Sequence, residues 1–149
     1  MEALIRAARR DESDALLDLY DWFFEEPGYK PAGWDVEAAR GRLRESLESS
    51  ENLVLVAEEE GTLVGLLCAY LDIRSVRYGQ RCWVEDLAVH PDRRSQGIGA
   101  GLLAEARDWA RARGATHIEL DTGRARSDAQ RFYERQGESH QGISYSWPL

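Results

Sequence analysis

The chain has 149 residues, 43% of them hydrophobic and 31% charged, with a formal net charge of −8. That length supports one domain, residues 1–149, with a core of its own, and the acidic balance argues against nucleic acid as the main partner. No apolar run nears the ~18 residues a membrane helix needs, and Ile5 leads into Arg6, Arg9 and Arg10 rather than into a secretory apolar stretch. Cys68 and Cys82 stand singly in strand-like runs, so two reduced buried thiols, no metal site and a cytoplasmic location are expected.

In chain order, Leu4 to Ala8 reads as a short edge strand. Ala15, Leu16, Leu19, Tyr20 and Phe23 recur at helical spacing up to the breaker Glu26-Pro27-Gly28. The segment from Trp22 to Trp34 is aromatic and carries Glu25 and Glu26, residue types that suit either ordinary packing with solvated carboxylates or a site for a cationic amine. Asp35 is placed to cap a helix over Val36 to Leu47. Leu53–Ala57 and Thr62–Ile73, separated by the charged turn Glu58 to Gly61, predict a hairpin. A further strand starts near Arg81 and runs to Val89. A helix opens at Gly97 with Ile98, Leu102, Ala106, Trp109 and Ala110 on one stripe and ends at Gly114. Thr116 to Leu120 is expected parallel to the Arg81–Val89 strand, because it follows strand–helix. Ser127 or Asp128 caps a last helix that ends at Gly137, and Ser139 to Trp147 reads as a closing strand. Antiparallel strands first and one β-α-β unit late give an α+β class with a mixed sheet.

The most informative stretch is Trp83 to Leu103, where a buried strand leads through a basic turn into a helix. Gly97 and Gly99 leave backbone N–H groups uncovered at the helix start, and Arg93 or Arg94 adds positive potential. That is a site for phosphate or pyrophosphate built from backbone.

The spacing R-x-x-G-x-G from Arg94 to Gly99, the preceding E-D-L-A-V at Glu85 to Val89 and the later R-F-Y-E-R-Q-G at Arg131 to Gly137 resemble the GNAT superfamily of acetyl-CoA-dependent N-acetyltransferases. The E-D-L-A-V strand is similar to that of the spermidine/spermine-type members. The resemblance implies a mixed, mostly antiparallel sheet of six or seven strands with a splayed parallel pair and about four helices. It implies acetyl-CoA as cosubstrate, held by Arg94, Ser95, Gln96, Gly97, Ile98, Gly99 and Ala100 and by the backbone of Leu87, Ala88 and Val89 on a strand that carries a bulge. It gives Tyr133 the role of proton donor to the departing thiolate, and it points to Glu85 as the base that deprotonates a small, cationic primary amine.

The residues add their own constraint. Glu85 and Asp86 are adjacent in a strand, so one alone faces a given side unless a bulge intervenes. The alternative for either is an ion pair with Arg81 or Arg77. Asp86, Glu25 and Glu26 are the candidate contacts to the acceptor. Two departures from the family pattern stand out: Arg126 where many members carry Asn, and Glu138 after Gly137 where Phe is usual. Two rivals follow from the same residues. G-I-G-A-G resembles a dinucleotide fingerprint, although H-P-D-R-R-S-Q intervenes between strand and glycine. The other is a non-catalytic acetyl-CoA-binding sensor or partner domain. Homodimers are common in the superfamily, so a homodimer is a possible assembly.

Overall fold

The computed structural model describes residues 2–149. Five strands form one sheet in the order β1-β2-β3-β4-β5: β1 Leu4–Ala7, β2 Asn52–Glu59, β3 Thr62–Ser75, β4 Gly79–Val89 and β5 His117–Glu119. The first four are antiparallel neighbours, and β5 lies parallel to β4. The helices are α1 Ser13–Leu19, α2 Asp21–Phe24, α3 Val36–Glu48, α4 Ile98–Ala112 and α5 Ser127–Glu134.

Alternation along β2 sorts the core into two layers. Leu53, Leu55 and Ala57 face α4, where they pack with Ile98, Leu102, Leu103, Ala106 and Ala110. Val54 and Val56 face the other way, onto Leu16, Leu17 and Leu19 of α1 and Leu43 of α3. A sheet covered on both faces is why β2 reads as a nearly unbroken apolar run. Asp35 caps α3 as its position suggests, its carboxylate accepting from the Glu37 amide at 3.2 Å.

Three expectations need correction. The sheet has five strands, not six or seven. The helix expected from Ala15 through Phe23 is divided at Tyr20 into α1 and α2. No strand forms over Ser139 to Trp147; residues 138–149 hold no regular structure, and Ile143, Tyr145, Trp147 and Leu149 are exposed. The alternation of those four residues is a genuine strand pattern. Periodicity says which side chains would share a face, though, not whether a sheet edge is free to receive them, and β5 offers only three paired residues.

Two features of β4 prepare a site. Its parallel pairing to β5 covers only Arg81–His117, Cys82–Ile118 and Trp83–Glu119, so the stretch from Val84 to Val89 has β3 on one side and no strand on the other. Its register against β3 also slips: Cys68 stands opposite Asp86 and Ala69 opposite Val84, leaving Glu85 as an extra residue. This is a β-bulge, and it re-aims the side chains around it.

Candidate active site

The bulge brings two neighbouring carboxylates to one cavity. Glu85 and Asp86 both line a cleft of about 890 Å³ between the sheet, α1 to α3 and the loop around Arg124. In a regular strand they would point to opposite faces. Glu85 accepts on one oxygen from Tyr70 Oη at 3.0 Å and from Trp83 Nε1 at 2.6 Å. Asp86 accepts from Tyr20 Oη at 2.7 Å on Oδ2. Neither is paired with an arginine among the described residues: Arg81 binds Asp72 and Glu119, and Arg77 stacks on Tyr78. Burial pushes the Asp86 carboxyl up to about 6, against the opposing effect of the Tyr20 hydrogen bond and with added repulsion from Glu85.

The opposite wall is aromatic. Phe23, Phe24, Tyr29 and Trp34 line the cleft, and Phe24 meets Trp34 edge-on at 4.9 Å. Trp22 turns away to His90. Glu25 and Glu26 are exposed and lie outside the lining, so the acidic groups of this cleft are those of β4. Arg126 donates to the Phe23 carbonyl at 3.1 Å, which ties the aromatic segment to the loop before α5.

Beyond β4 the chain makes the basic turn. Ser95 and Gly97 both have positive φ, 63° and 84°, the left-handed region that swings successive amides toward one side. No side chain caps α4, and its first turn carries no acid, so its leading N–H groups keep their donors. A Cβ at Gly97 would meet nothing within 4 Å, so the backbone there is open. A Cβ at Gly99 would come within 3.2 Å of the Phe132 ring, so α5 packs directly on the start of α4. The two arginines part company: Arg93 binds Glu59 at 3.1 Å, while Arg94 is exposed and has no hydrogen-bond or ion-pair partner among the described residues.

A positively polarised helix start, an open strand edge beside it and a carboxylate-lined cleft beyond are the parts an acyl-CoA and an amine require, and residues 13–137 match the family described as Acetyltransferase (GNAT) family. The chain belongs to the GNAT acetyltransferase family. It is therefore an acetyltransferase enzyme with acetyl-CoA as its cosubstrate. The uncharacterized N-acetyltransferase YhfO of Bacillus subtilis is 32% identical over 89% of this chain and 87% of its own length. The aminoalkylphosphonate N-acetyltransferase of Salmonella typhimurium is 33% identical over 71% of this chain and 70% of that one. Among solved structures, an aminoglycoside acetyltransferase from an uncultured soil metagenomic sample superimposes with a TM-score of 0.77. It is 25% identical and covers 100% of this chain and 99% of its own.

In this acetyltransferase Tyr133 follows Phe132, whose ring rests on the start of α4, so packing of one aromatic places the other near the same loop. Tyr133 is half-buried, its hydroxyl has no hydrogen-bond partner among the described residues, and burial pushes it up to about 12. His90 accepts from the Asp92 amide in the turn, and no group of metal-binding side chains occurs among the described residues. No helix is long and apolar enough to cross a membrane.

Sequence reasoning passed over Tyr20, Tyr70 and Trp83, the donors that hold the two carboxylates. Tyr20 sits on the same apolar stripe as Leu16 and Phe23, and its hydroxyl was the one polar atom there that asked for a partner.

The contrast between the arginines gives a first prediction. Arg94→Ala is expected to weaken acetyl-CoA binding roughly 5- to 20-fold, the loss of one charge-assisted contact to phosphate, whereas Arg93→Ala changes it less than about 2-fold because Arg93 is engaged with Glu59. Calorimetric titration with acetyl-CoA checks both, and equal losses would show that the arginines contribute only general positive potential.

Proposed function

We propose that this enzyme transfers an acetyl group from acetyl-CoA to a primary amine by direct attack in a ternary complex. The observation that carries the reading is the bulge that turns both Glu85 and Asp86 into one cleft at the unpaired edge of β4. Two of the acetyltransferase relatives are named for amine-bearing acceptors, an aminoalkylphosphonate and an aminoglycoside, which agrees with an amine acceptor here.

The cofactor's phosphates would be held by the amides of residues 95–100 with Arg94, and its pantetheine arm by the free backbone groups of Leu87, Ala88 and Val89, added to the sheet edge like another strand. The acceptor enters as an ammonium ion against the aromatic wall and the carboxylates. Asp86 takes its proton: a carboxyl held near 6 is matched to that exchange at neutral pH, and Oδ1 has no protein partner among the described residues. Glu85, fixed by Tyr70 and Trp83, orients the cation. The roles expected from the resemblance are thus exchanged, with Asp86 as base and Glu85 as anchor. The amine nitrogen then forms a bond to the thioester carbonyl carbon, the C–S bond breaks, Tyr133 gives its proton to the departing thiolate, and the second proton that the nitrogen sheds on becoming an amide returns Tyr133 to its neutral form.

Initial rates over both substrates test the scheme. Direct attack predicts intersecting double-reciprocal lines and no acetylated protein in the absence of amine. Parallel lines with a covalent acetyl-enzyme would show a two-step route through a nucleophile.

A further inference from the structure

Charge in the cleft runs against the charge of the chain. The protein carries −8 overall, yet the lining holds Arg42, Arg124 and Arg126 against only Glu85 and Asp86, and no lysine. Arg126 is accounted for by the Phe23 carbonyl. The guanidinium groups of Arg42 and Arg124 have neither an ion pair nor a hydrogen bond among the described residues, although Arg40, two residues before Arg42, holds both Glu37 and Asp14. The two arginines come from different walls, one from α3 and one from the loop before α5, and both are exposed. The carboxylates sit on the sheet side.

Taking the cleft as the acceptor site argued above, we infer that the accepted amine also carries an anionic group, a carboxylate, phosphonate or phosphate, bound by Arg42 and Arg124. A polycation would meet two unpaired guanidinium groups on its way in, a like-charge arrangement that disfavours it. A zwitterion satisfies both ends: its ammonium goes to Glu85 and Asp86, and its anion to planar guanidinium forks that suit carboxylate and phosphate oxygens. The aromatic residues of the same cleft can take an apolar body.

The test measures release of CoA thiol with matched acceptors: an α-amino acid and its decarboxylated amine, an aminoalkylphosphonate and the corresponding alkylamine, and spermidine and an aminoglycoside as polycations. The anionic amines are expected to exceed their uncharged counterparts by about 10- to 100-fold in kcat/KM, the range of one or two charge-assisted contacts. Whichever of the carboxylate and phosphonate is faster identifies the anion. Arg42→Gln with Arg124→Gln is expected to raise KM for the anionic amine by that factor and to collapse the preference, with acetyl-CoA titration confirming a folded protein. Arg44→Gln, outside the cleft, should keep the preference. Turnover confined to the polycations, or an unmoved KM in the double variant, overturns this inference alone. Turnover with none of the amines, while acetyl-CoA still binds, overturns the amine-acceptor reading and this inference with it.

Discussion

Tyr133→Phe is expected to lower kcat on the order of 10²-fold, the lower range for a positioned general acid, while leaving acetyl-CoA affinity and thermal stability nearly unchanged. The substitution keeps the ring that packs beside Phe132 and removes only a hydroxyl with no protein partner. Nothing buried loses a hydrogen bond, so the stability change should fall within about 0.5 kcal/mol. Because burial holds Tyr133 near 12, it remains a donor throughout the working range, and the wild-type rate should show no descending limb below pH ~10 attributable to it. Single-turnover rates of CoA thiol release separate the chemical step from product release. A wild-type single-turnover rate would return Tyr133 to a packing role, as would a loss of melting temperature that fully tracks the loss of rate.

The glycine turn and helix start proposed to hold the phosphates were legible in sequence because their chemistry is backbone chemistry. Glycines at 97 and 99 on a strand–turn–helix constrain φ and close approach directly, and the structure realises both, one as a positive φ and one as contact with Phe132. The helical stripes and the hairpin were legible for a related reason, since burial of β2 between two helical layers enforces the periodicities. The acceptor half was not legible to the same degree. Whether Glu85 and Asp86 share a side depends on a one-residue slip of register between β3 and β4, and no propensity marks that slip. Glu25 and Glu26 look attractive beside so many aromatics, but a side chain in a turn points where the local backbone sends it, and here that is solvent. Arg42 and Arg124 are 82 positions apart in sequence and come to line one cleft only through tertiary packing. The closing strand failed in the opposite sense: its pattern was clear, but pairing requires an edge.

Asp86→Asn is expected to have the larger kinetic effect and, unlike Tyr133→Phe, to raise stability at neutral pH. Asparagine can still accept from Tyr20 through its carbonyl oxygen, so the geometry at Oδ2 is retained while the capacity to take a proton is lost. The rate should fall by about 10²- to 10³-fold, and the ascending limb near pH 6 should vanish, leaving only the limb set by the amine's own ionisation. Stability follows from the sign of the shift. The folded carboxyl titrates at about 6, above its ordinary 3.8, so between those values the native state binds more protons than the unfolded state. Stability of the wild-type protein therefore falls as pH rises from ~4 to ~6 and stays reduced above that. A shift of this size corresponds to roughly 3 kcal/mol, removed when the buried charge is removed. The variant should match the wild type near pH 4 and melt progressively higher from pH 5 to 8, a stability gain at the expense of function of the kind active sites show. Glu85→Gln should instead raise the acceptor KM and keep the limb. If Glu85→Gln abolishes the limb and Asp86→Asn retains it, the two carboxylates hold the opposite roles. A variant less stable than wild type at pH 8 would mean that the Asp86 charge is compensated in the native fold and is not the poised base.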